Sequence, residues 1–138
     1  MYFYQVNVVY ERQISEDNPG EVKENYLVEA MTCSDAEKQV LNEIKPYLFG
    51  ECETPQIRKR LFFDIFPDES KEQWFEAKVE LITIEDNGKE ARRAVKMLIQ
   101  ADDIYSALKE LKYEYLTAYD CEIISIAKSQ IVDIIKNE

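Results

Sequence analysis

The sequence predicts an α+β fold built from a duplicated ββαβ unit, forming an antiparallel or mixed sheet of about six strands with two helices on one face. The main observation is that residues 26–40 and 97–111 align in one register, which continues upstream without a gap. The identical pairs are Leu27 with Leu98, Ala30 with Ala101, Ala36 with Ala107 and Lys38 with Lys109. The second observation is that both aligned segments have the same order of strand-like and helix-like periodicity.

Length and composition are typical of one domain. The chain has 138 residues, of which 46% are hydrophobic, and this is enough to form a core. We therefore expect a single domain, 1–138, made of two repeats, 1–69 and 70–138. No apolar run approaches the roughly 18 residues of a membrane-spanning helix, and the first residues do not resemble a signal peptide. We expect a cytoplasmic protein with no membrane association.

Each repeat begins with two strands. In the second repeat, WFEAKVELITIED alternates strictly and places Phe75, Ala77 and Val79 on one face. Asp86-Asn87-Gly88 then predicts a tight hairpin turn before the strand ARRAVKMLIQA, because Asn and Gly tolerate positive φ. In the first repeat, FYQVNVVYER and VKENYLVEA match these strands, and a longer polar loop around residues 17–20 joins them.

A helix follows each pair of strands. Thr32 and Asp103 occupy equivalent positions, and both are good N-caps because their side-chain oxygens accept from free helix N–H groups. Each helix has one apolar stripe, comprising Ala36, Val40, Ile44, Tyr47 and Leu48 in the first and Ala107, Leu108, Leu111 and Tyr115 in the second. Because one stripe covers one sheet, we expect both helices on the same face, related by a pseudo-two-fold axis.

A short apolar run around an aspartate closes each repeat, FFDIF at 62–66 and IVDII at 131–135. This pattern indicates either a strand buried on both faces or a bend where the facing of side chains switches. The aspartates, Asp64 and Asp133, are equivalent, and a carboxylate in an apolar run needs a partner. Two interpretations stay open: backbone hydrogen bonding repeated in both units, or a pseudo-symmetric pair at a binding site.

The sheet face opposite the helices is the predicted interaction surface. Its apolar members are Phe3, Leu27, Trp74, Ile82 and Leu98. This is too apolar for plain solvent, so either a partner or second copy covers it, or the chain's own loops and closing strands do. Phe3 and Trp74 are equivalent, and an aromatic ring there can stack on a base or anchor a partner.

The residue types argue against catalysis. Histidine is absent, and the three cysteines lack a CxxC spacing, so we predict no metal site and no cofactor. Enzyme activity is disfavoured but stays open, and a metal-dependent hydrolase built on carboxylates is the last-ranked alternative. Pro67-Asp68 with Glu76 and Lys78 resembles a PD-(D/E)xK nuclease pattern, in which carboxylates hold magnesium. The short spacing between Asp68 and Glu76, the acidic net charge and the ordinary strand alternation of Glu76 and Lys78 argue against it.

The distribution of charge favours some classes of partner and disfavours others. The net charge of −11 disfavours direct nucleic-acid binding, favours solubility, and leaves nucleic-acid mimicry as an alternative. The cluster Arg58-Lys59-Arg60 stands out in this acidic chain. On a strand, Arg58 and Arg60 should point one way and Lys59 the other. Pairing with nearby carboxylates is the favoured interpretation of this cluster and of Arg92-Arg93, and phosphate contact is the alternative.

Several of these segments also resemble a known family, the domain of unknown function 4494. The resemblance rests on the aromatic pairs that open each repeat, the YLVEA and MLIQA strands, Lys45-Pro46-Tyr47, and the closing runs at 63–66 and 131–134. It covers nearly the whole chain, and its motifs are structural. It implies a bacterial or phage protein of gut Bacteroidales and their mobile elements, and it implies no activity.

These observations favour a non-enzymatic interaction module, oligomeric or adaptor-like, that binds a protein partner or a second copy. One alternative is an accessory protein of phage or mobile-element DNA metabolism that binds single-stranded nucleic acid or a replication protein. Another is an acidic nucleic-acid mimic. The predicted binding residues are Phe3, Trp74, Arg58, Arg60, Asp64 and Asp133.

Overall fold

The computed structural model describes residues 1–15, 18–116 and 120–136. These residues form nine strands and two α-helices. In chain order they are β1 (Tyr2–Ser15), β2 (Asn18–Ala30), α1 (Cys33–Ile44), β3 (Leu48–Cys52), β4 (Gln56–Arg60), β5 (Asp64–Phe66), β6 (Gln73–Ile84), β7 (Glu90–Ala101), α2 (Ile104–Leu111), β8 (Cys121–Lys128) and β9 (Ile131–Ile135). A 3-10 turn, Lys45–Tyr47, follows α1, and a π-helical turn, Lys112–Leu116, follows α2. Neither helix is long and apolar enough, within the described residues, to cross a membrane.

The α+β class is confirmed, but the strands form two sheets rather than one sheet of about six strands. One sheet has five strands and the other has four. The strand count was too low because the segment after each helix is divided. Pro55, which lacks a backbone N–H donor, lies between β3 and β4, and Leu61–Phe63 separates β4 from β5. The chain correspondingly divides into two units.

The first unit comprises Met1–Leu61 and Gln130–Glu138. Its sheet has the order β3-β1-β2-β9, and β4 also pairs with β1. α1 covers one face of this sheet. The buried members of the core beneath α1 are Tyr4, Val6, Val8, Tyr10, Tyr26, Val28, Ala30, Ala36, Val40 and Ile44. The strand residues among them have even numbers, as expected for side chains that alternate between the two faces of a sheet.

The second unit comprises Phe62–Ser129, and its sheet has the order β5-β7-β6-β8. α2 covers one face of this sheet, so each helix packs on a sheet of its own, and the predicted placement of both helices on one shared sheet is wrong. The buried members of this core are Phe75, Ala77, Val79, Val95, Met97, Ile99, Ala101, Ala107, Leu111 and Tyr115. The strict alternation of β6 therefore predicted the core face correctly.

Local signals at the helix starts and at the second hairpin are confirmed. The Thr32 hydroxyl accepts from the Asp35 N–H at 3.1 Å, and a carboxylate oxygen of Asp103 accepts from the Ser106 N–H at 2.7 Å. Gly88 has a φ of 80° in the turn between β6 and β7, a conformation that favours glycine.

The first hairpin turn and the end of α1 differ from expectation. Residues 16–17 of the predicted polar loop lie outside the described part of the chain, and β2 already begins at Asn18. Tyr47 and Leu48 were assigned to the apolar stripe of α1, but both are exposed. Pro46 explains this, since it terminates the α-helix in a 3-10 turn and takes the following residues off the helical period.

The short apolar runs form β5 and β9, which we call the closing strands. β9 pairs in parallel with β2 in the first unit, and β5 pairs in parallel with β7 in the second. The closing strand that ends each sequence repeat thus belongs to the sheet of the other repeat. β2 pairs Asn25 with Ile131 but Tyr26 with Asp133, so β9 contains one extra residue there and its facing switches. This matches the second of the two sequence interpretations for β9, whereas β5 pairs with β7 without a shift.

Connection length explains this exchange of closing strands. β4 is antiparallel to β1, so a closing strand that followed β4 and returned to pair in parallel with β2 would need a crossover of about a dozen residues or more. The actual links are far shorter, Leu61–Phe63 before β5 and Ser129–Gln130 before β9. Each closing strand therefore cannot return to the sheet of its own repeat.

The apolar residues predicted on the face opposite the helices are covered. Leu27, Leu98 and Trp74 are buried, and Trp74 is only 3% exposed. Phe3 and Ile82 are partly buried. None of the three buried residues belongs to the core beneath a helix. The chain itself thus buries this apolar surface, and the expectation that a partner covers it is not needed to explain its composition.

Removal of the C-terminal closing strand tests the exchange. A chain that ends at Ser129 should lose protection from amide hydrogen exchange at β2 residues 25–28, while β6 and β7 keep theirs, because β9 pairs with β2. A chain that ends at Lys136 retains β9 and is the control. Loss of protection in β7 instead would show that β9 completes the sheet of its own repeat.

Candidate functional site

A polar face lies on the first sheet, opposite α1. Because even-numbered residues of β1 enter the core, Phe3, Gln5 and Asn7 point to the other face. β4 runs antiparallel to β1 and pairs Arg60 with Phe3 and Arg58 with Gln5. Three of the predicted binding residues, Phe3, Arg58 and Arg60, are thereby brought together on one face.

Gln5 organises this face. Its side chain is buried at 8% exposure, and its Nε2 donates to Oδ1 of Asn25 at 3.0 Å. Its Oε1 accepts from Nη2 of Arg58 at 3.3 Å and from Nη1 of Arg60. Asn25 is also buried, at 7% exposure. The two guanidinium groups therefore donate to one neutral oxygen, which satisfies the buried carboxamide of Gln5.

The environment of Arg58 differs from that of Arg92. Arg58 makes no ion pair among the described residues, so the predicted pairing with a carboxylate is wrong for this residue. In the second unit, Arg92 shows the predicted pairing, with Glu122 at 2.7 Å, Glu90 at 3.1 Å and Glu80 at 3.2 Å. Hydrogen bonds from Arg92 to these carboxylates, Glu122 first, raise its pKa.

The alternating orientation of the basic cluster is confirmed. Arg58 and Arg60 both contact Gln5, whereas the ammonium of Lys59 lies 3.5 Å from the centroid of the Tyr2 ring. A pocket of about 400 Å³ opens beside Arg58 on the polar face. Its lining residues are Gln5, Asn7, Asn25, Gln56, Ile57, Arg58 and Gln130. The pocket thus combines one guanidinium with several carboxamides, groups that bind oxygen-rich ligands.

Trp74 offers no contact surface. It lies on β6 in the second unit and is 97% shielded from solvent by the chain, as its 3% exposure shows. Its indole Nε1 has no hydrogen-bond partner among the described residues. The equivalence of Phe3 and Trp74 in the sequence therefore does not extend to equivalent exposure.

Asp64 and Asp133 lie in different units and share only a local motif. Asp64 accepts from the Ile65 N–H at 2.9 Å, and Asp133 accepts from the Ile134 N–H at 2.8 Å. Asp64 also accepts from the hydroxyl of Tyr115 at 2.5 Å. These contacts match the interpretation that each carboxylate binds backbone at its closing strand.

The acidic residues of the nuclease-like pattern make structural contacts with other residues. Asp68 accepts from the backbone and hydroxyl of Ser70 at 3.1 and 2.6 Å, and these hydrogen bonds lower its pKa. Glu76 lies 3.5 Å from Lys96. The described residues contain no group of three or more His, Cys, Asp or Glu side chains that could hold a metal ion.

A second polar cluster lies under α1, where the hydroxyls of Tyr10 and Tyr26 both donate to Oε1 of Glu24. Burial is the first cause that raises the pKa of Tyr10, to about 12, and the hydrogen bond to Glu24 adds to it. Burial also raises the pKa of Tyr26. Both phenols stay protonated near neutral pH, so this cluster supplies a structural contact and no general base.

Sequence analysis missed Gln5 and Asn25. A signal was present, since Gln5 interrupts the apolar run YFYQVNVV and Asn25 precedes YLVEA. A buried carboxamide in a strand needs partners. The partners of Gln5 come from β4, far along the chain, and only the strand pairing reveals them.

Replacing Gln5 tests its role. Gln5→Leu should lower the free energy of unfolding by about 1–3 kcal/mol, because it leaves buried Asn25 without its donor and removes the acceptor of Arg58 and Arg60. Gln5→Glu keeps an acceptor for the two arginines but supplies no donor to Asn25, so it should recover only part of this loss in urea denaturation. Equal stability of Gln5→Leu and the wild type would show that the array contributes nothing to folding.

The tyrosine cluster predicts a loss of stability in alkali. The folded pKa of Tyr10 is raised to about 12 from about 10 in the unfolded chain, so its contribution is complete below pH 10 and is lost as pH rises through 12. Urea midpoints of Tyr10→Phe should fall less steeply above pH 10 than those of the wild type. Tyr105→Phe, at an exposed position, should follow the wild type; the same slope in Tyr10→Phe would contradict the assignment.

The chain matches a known protein family over almost its whole length. The family model described as Domain of unknown function (DUF4494) matches residues 2–137, which include the polar face of the first sheet and the described elements of both units. No curated protein and no solved structure matches the chain. The chain belongs to the DUF4494 family.

Proposed function

We propose that this protein is a non-enzymatic interaction module that binds an acidic group of a protein partner on the polar face of the first sheet. The observation that carries this proposal is the arrangement of Arg58 and Arg60 around the neutral Oε1 of Gln5. Arg58 makes one hydrogen bond to a buried carboxamide and has further N–H donors for another acceptor, and its partial ordering lowers the conformational cost of binding.

The chemistry of the face favours a carboxylate. A guanidinium binds a carboxylate through two parallel hydrogen bonds, and amide N–H groups of Asn7, Gln56 and Gln130 around the pocket can complete the shell. Phe3, opposite Arg60 in the strand register and partly buried, presents an apolar edge beside the charged groups. An aromatic residue next to arginines is typical of the energetic centre of protein interfaces.

The state of the cysteine thiols supports a non-catalytic role. Burial raises the pKa of the Cys52 and Cys121 thiols, which keeps both protonated near neutral pH. All three cysteines are free thiols, in keeping with the reducing cytoplasm as the proposed location. The same module can act as an adaptor or join two copies of this chain, since its own surface is rich in carboxylates.

The second candidate is an accessory protein of phage or mobile-element DNA metabolism that binds single-stranded nucleic acid. Its support is the proximity of Phe3 to Arg58 and Arg60 on one face, since aromatic rings and arginines together bind bases and phosphates. The net charge of −11 opposes it, because a polyanion would be repelled over most of the surface.

Arg58→Gln provides the test. Partner capture from cells of the natural host, followed by affinity measurement with the captured protein, should show binding weakened about tenfold or more in Arg58→Gln. Arg93→Gln makes the same charge change at an exposed position on β7 and should bind like the wild type.

Three other outcomes discriminate the alternatives. Equal binding by Arg58→Gln and the wild type would exclude the polar face as the site. Salt-dependent binding of a single-stranded oligonucleotide that Arg58→Gln weakens would favour the second candidate. Self-association seen by sedimentation of the wild type and lost in Arg58→Gln would identify a second copy as the partner.

A further inference from the structure

The second sheet carries a pocket of its own on the face opposite α2, with a volume of about 280 Å³. Its lining residues are Glu76, Ala77, Lys78, Lys96, Ser125, Ala127 and Lys128. Lys128 pairs with the core residue Phe75 in the strand register, whereas Lys78 pairs with Ser125 on the face opposite α2. Two lysines, Lys78 and Lys96, and one carboxylate, Glu76, thus lie on this face beside the opening. In a chain with a net charge of −11, this is a local excess of positive charge.

The strand register places two of these lysines side by side. Lys78 on β6 is the direct cross-strand partner of Lys96 on β7. Like charges directly opposite each other in a sheet destabilise it. Glu76 lies 3.5 Å from Lys96, but Lys78 and Lys128 make no ion pair among the described residues. The sheet therefore holds a repulsive pair that its own carboxylates compensate only in part.

The first unit shows that the fold does not require lysines there. The corresponding cross-strand pair of the first hairpin is Asn7 with Asn25, two neutral residues that also border a pocket. The position on the sheet is the same, but Arg58 has no counterpart in the second pocket, where Ala127 leaves room. The strand pairing therefore does not require lysine at these two positions, and the two lysines distinguish the second pocket from the first.

We propose that this second pocket binds the phosphate group of a small molecule between Lys78 and Lys96, with the Ser125 hydroxyl as a further donor. A doubly charged phosphate accepts several hydrogen bonds at once and relieves the repulsion between the lysines. The acidic surface of the protein repels a polyanion such as nucleic acid, which leaves a small phosphate monoester as the ligand class.

Phosphate titration of the whole protein tests this site. Addition of inorganic phosphate and of phenyl phosphate, at constant ionic strength adjusted with chloride, should give saturable shifts of backbone amide resonances at Lys78, Lys96 and Ser125. Lys78→Gln should raise the dissociation constant about tenfold, the effect of one lost charge-assisted hydrogen bond. Lys109→Gln, an exposed substitution on α2, should bind as the wild type does.

Stability gives a second measurement. In chloride alone, Lys78→Gln should unfold at the same urea concentration as the wild type or a higher one, because it removes the repulsion with Lys96. Added phosphate should raise the urea midpoint of the wild type more than that of Lys78→Gln. A lower midpoint of Lys78→Gln in chloride would instead assign Lys78 a structural role.

The opposite results overturn the proposal. Linear shifts without saturation, or equal shifts in the wild type and Lys78→Gln, would show that phosphate does not occupy the pocket. A single-stranded oligonucleotide that displaces phenyl phosphate and binds more tightly would assign the pocket to nucleic acid and exclude the small-molecule ligand.

Discussion

The short links before the closing strands are the constraint on which the architecture depends. Leu61–Phe63 and Ser129–Gln130 are too short for a parallel crossover, so β5 and β9 cannot return to the sheets that precede them in the chain. The first sheet therefore includes β9 from the far end of the described chain, while β5 joins the sheet of the strands that follow it. The second unit is one continuous segment, Phe62–Ser129, whereas the first unit is formed by two separate segments, Met1–Leu61 and Gln130–Glu138.

Within each unit, the two faces of the sheet differ in how strongly packing restricts their residues. The helix-covered face is a packed core in which volume and shape are restricted, and aliphatic and aromatic residues fill it in both units. The opposite face allows different polar chemistry at the same register. Carboxamides at Asn7 and Asn25 in the first unit correspond to ammonium groups at Lys78 and Lys96 in the second. Differences in binding specificity can therefore arise there without disturbing the core.

Gln5 has the central role on the polar face because it is neutral. A carboxylate at this position would pair with Arg58 and Arg60 and neutralise them, as the glutamates around Arg92 do in the second unit. A carboxamide instead accepts from both guanidinium groups and donates to Asn25 without adding a negative charge. In a protein with a net charge of −11, most of the surface repels polyanions, and the proposed binding of an acidic group depends on short-range contacts with Arg58.

The sequence by itself determined the local elements, because their signals act over a few residues. Alternation identified β6 and its core face, Thr32 and Asp103 identified the helix starts, and Asp86-Asn87-Gly88 identified the second turn. Arg58 and Arg60 were also assigned correctly to one strand face. These features depend on backbone geometry that neighbouring residues share.

Only the tertiary structure decided which strands pair and which side chains become buried. Which sheet β5 and β9 join depends on the length of the connecting segments and on which sheet edges are free. Hydrophobic periodicity carries no information about either. For the same reason, the sequence alone could not distinguish Trp74, which the chain buries, from Phe3, which stays partly exposed. The contacts of Gln5 with Arg58 and Arg60 likewise exist only because β1 and β4, separated by two strands and a helix in the sequence, are neighbours in the sheet.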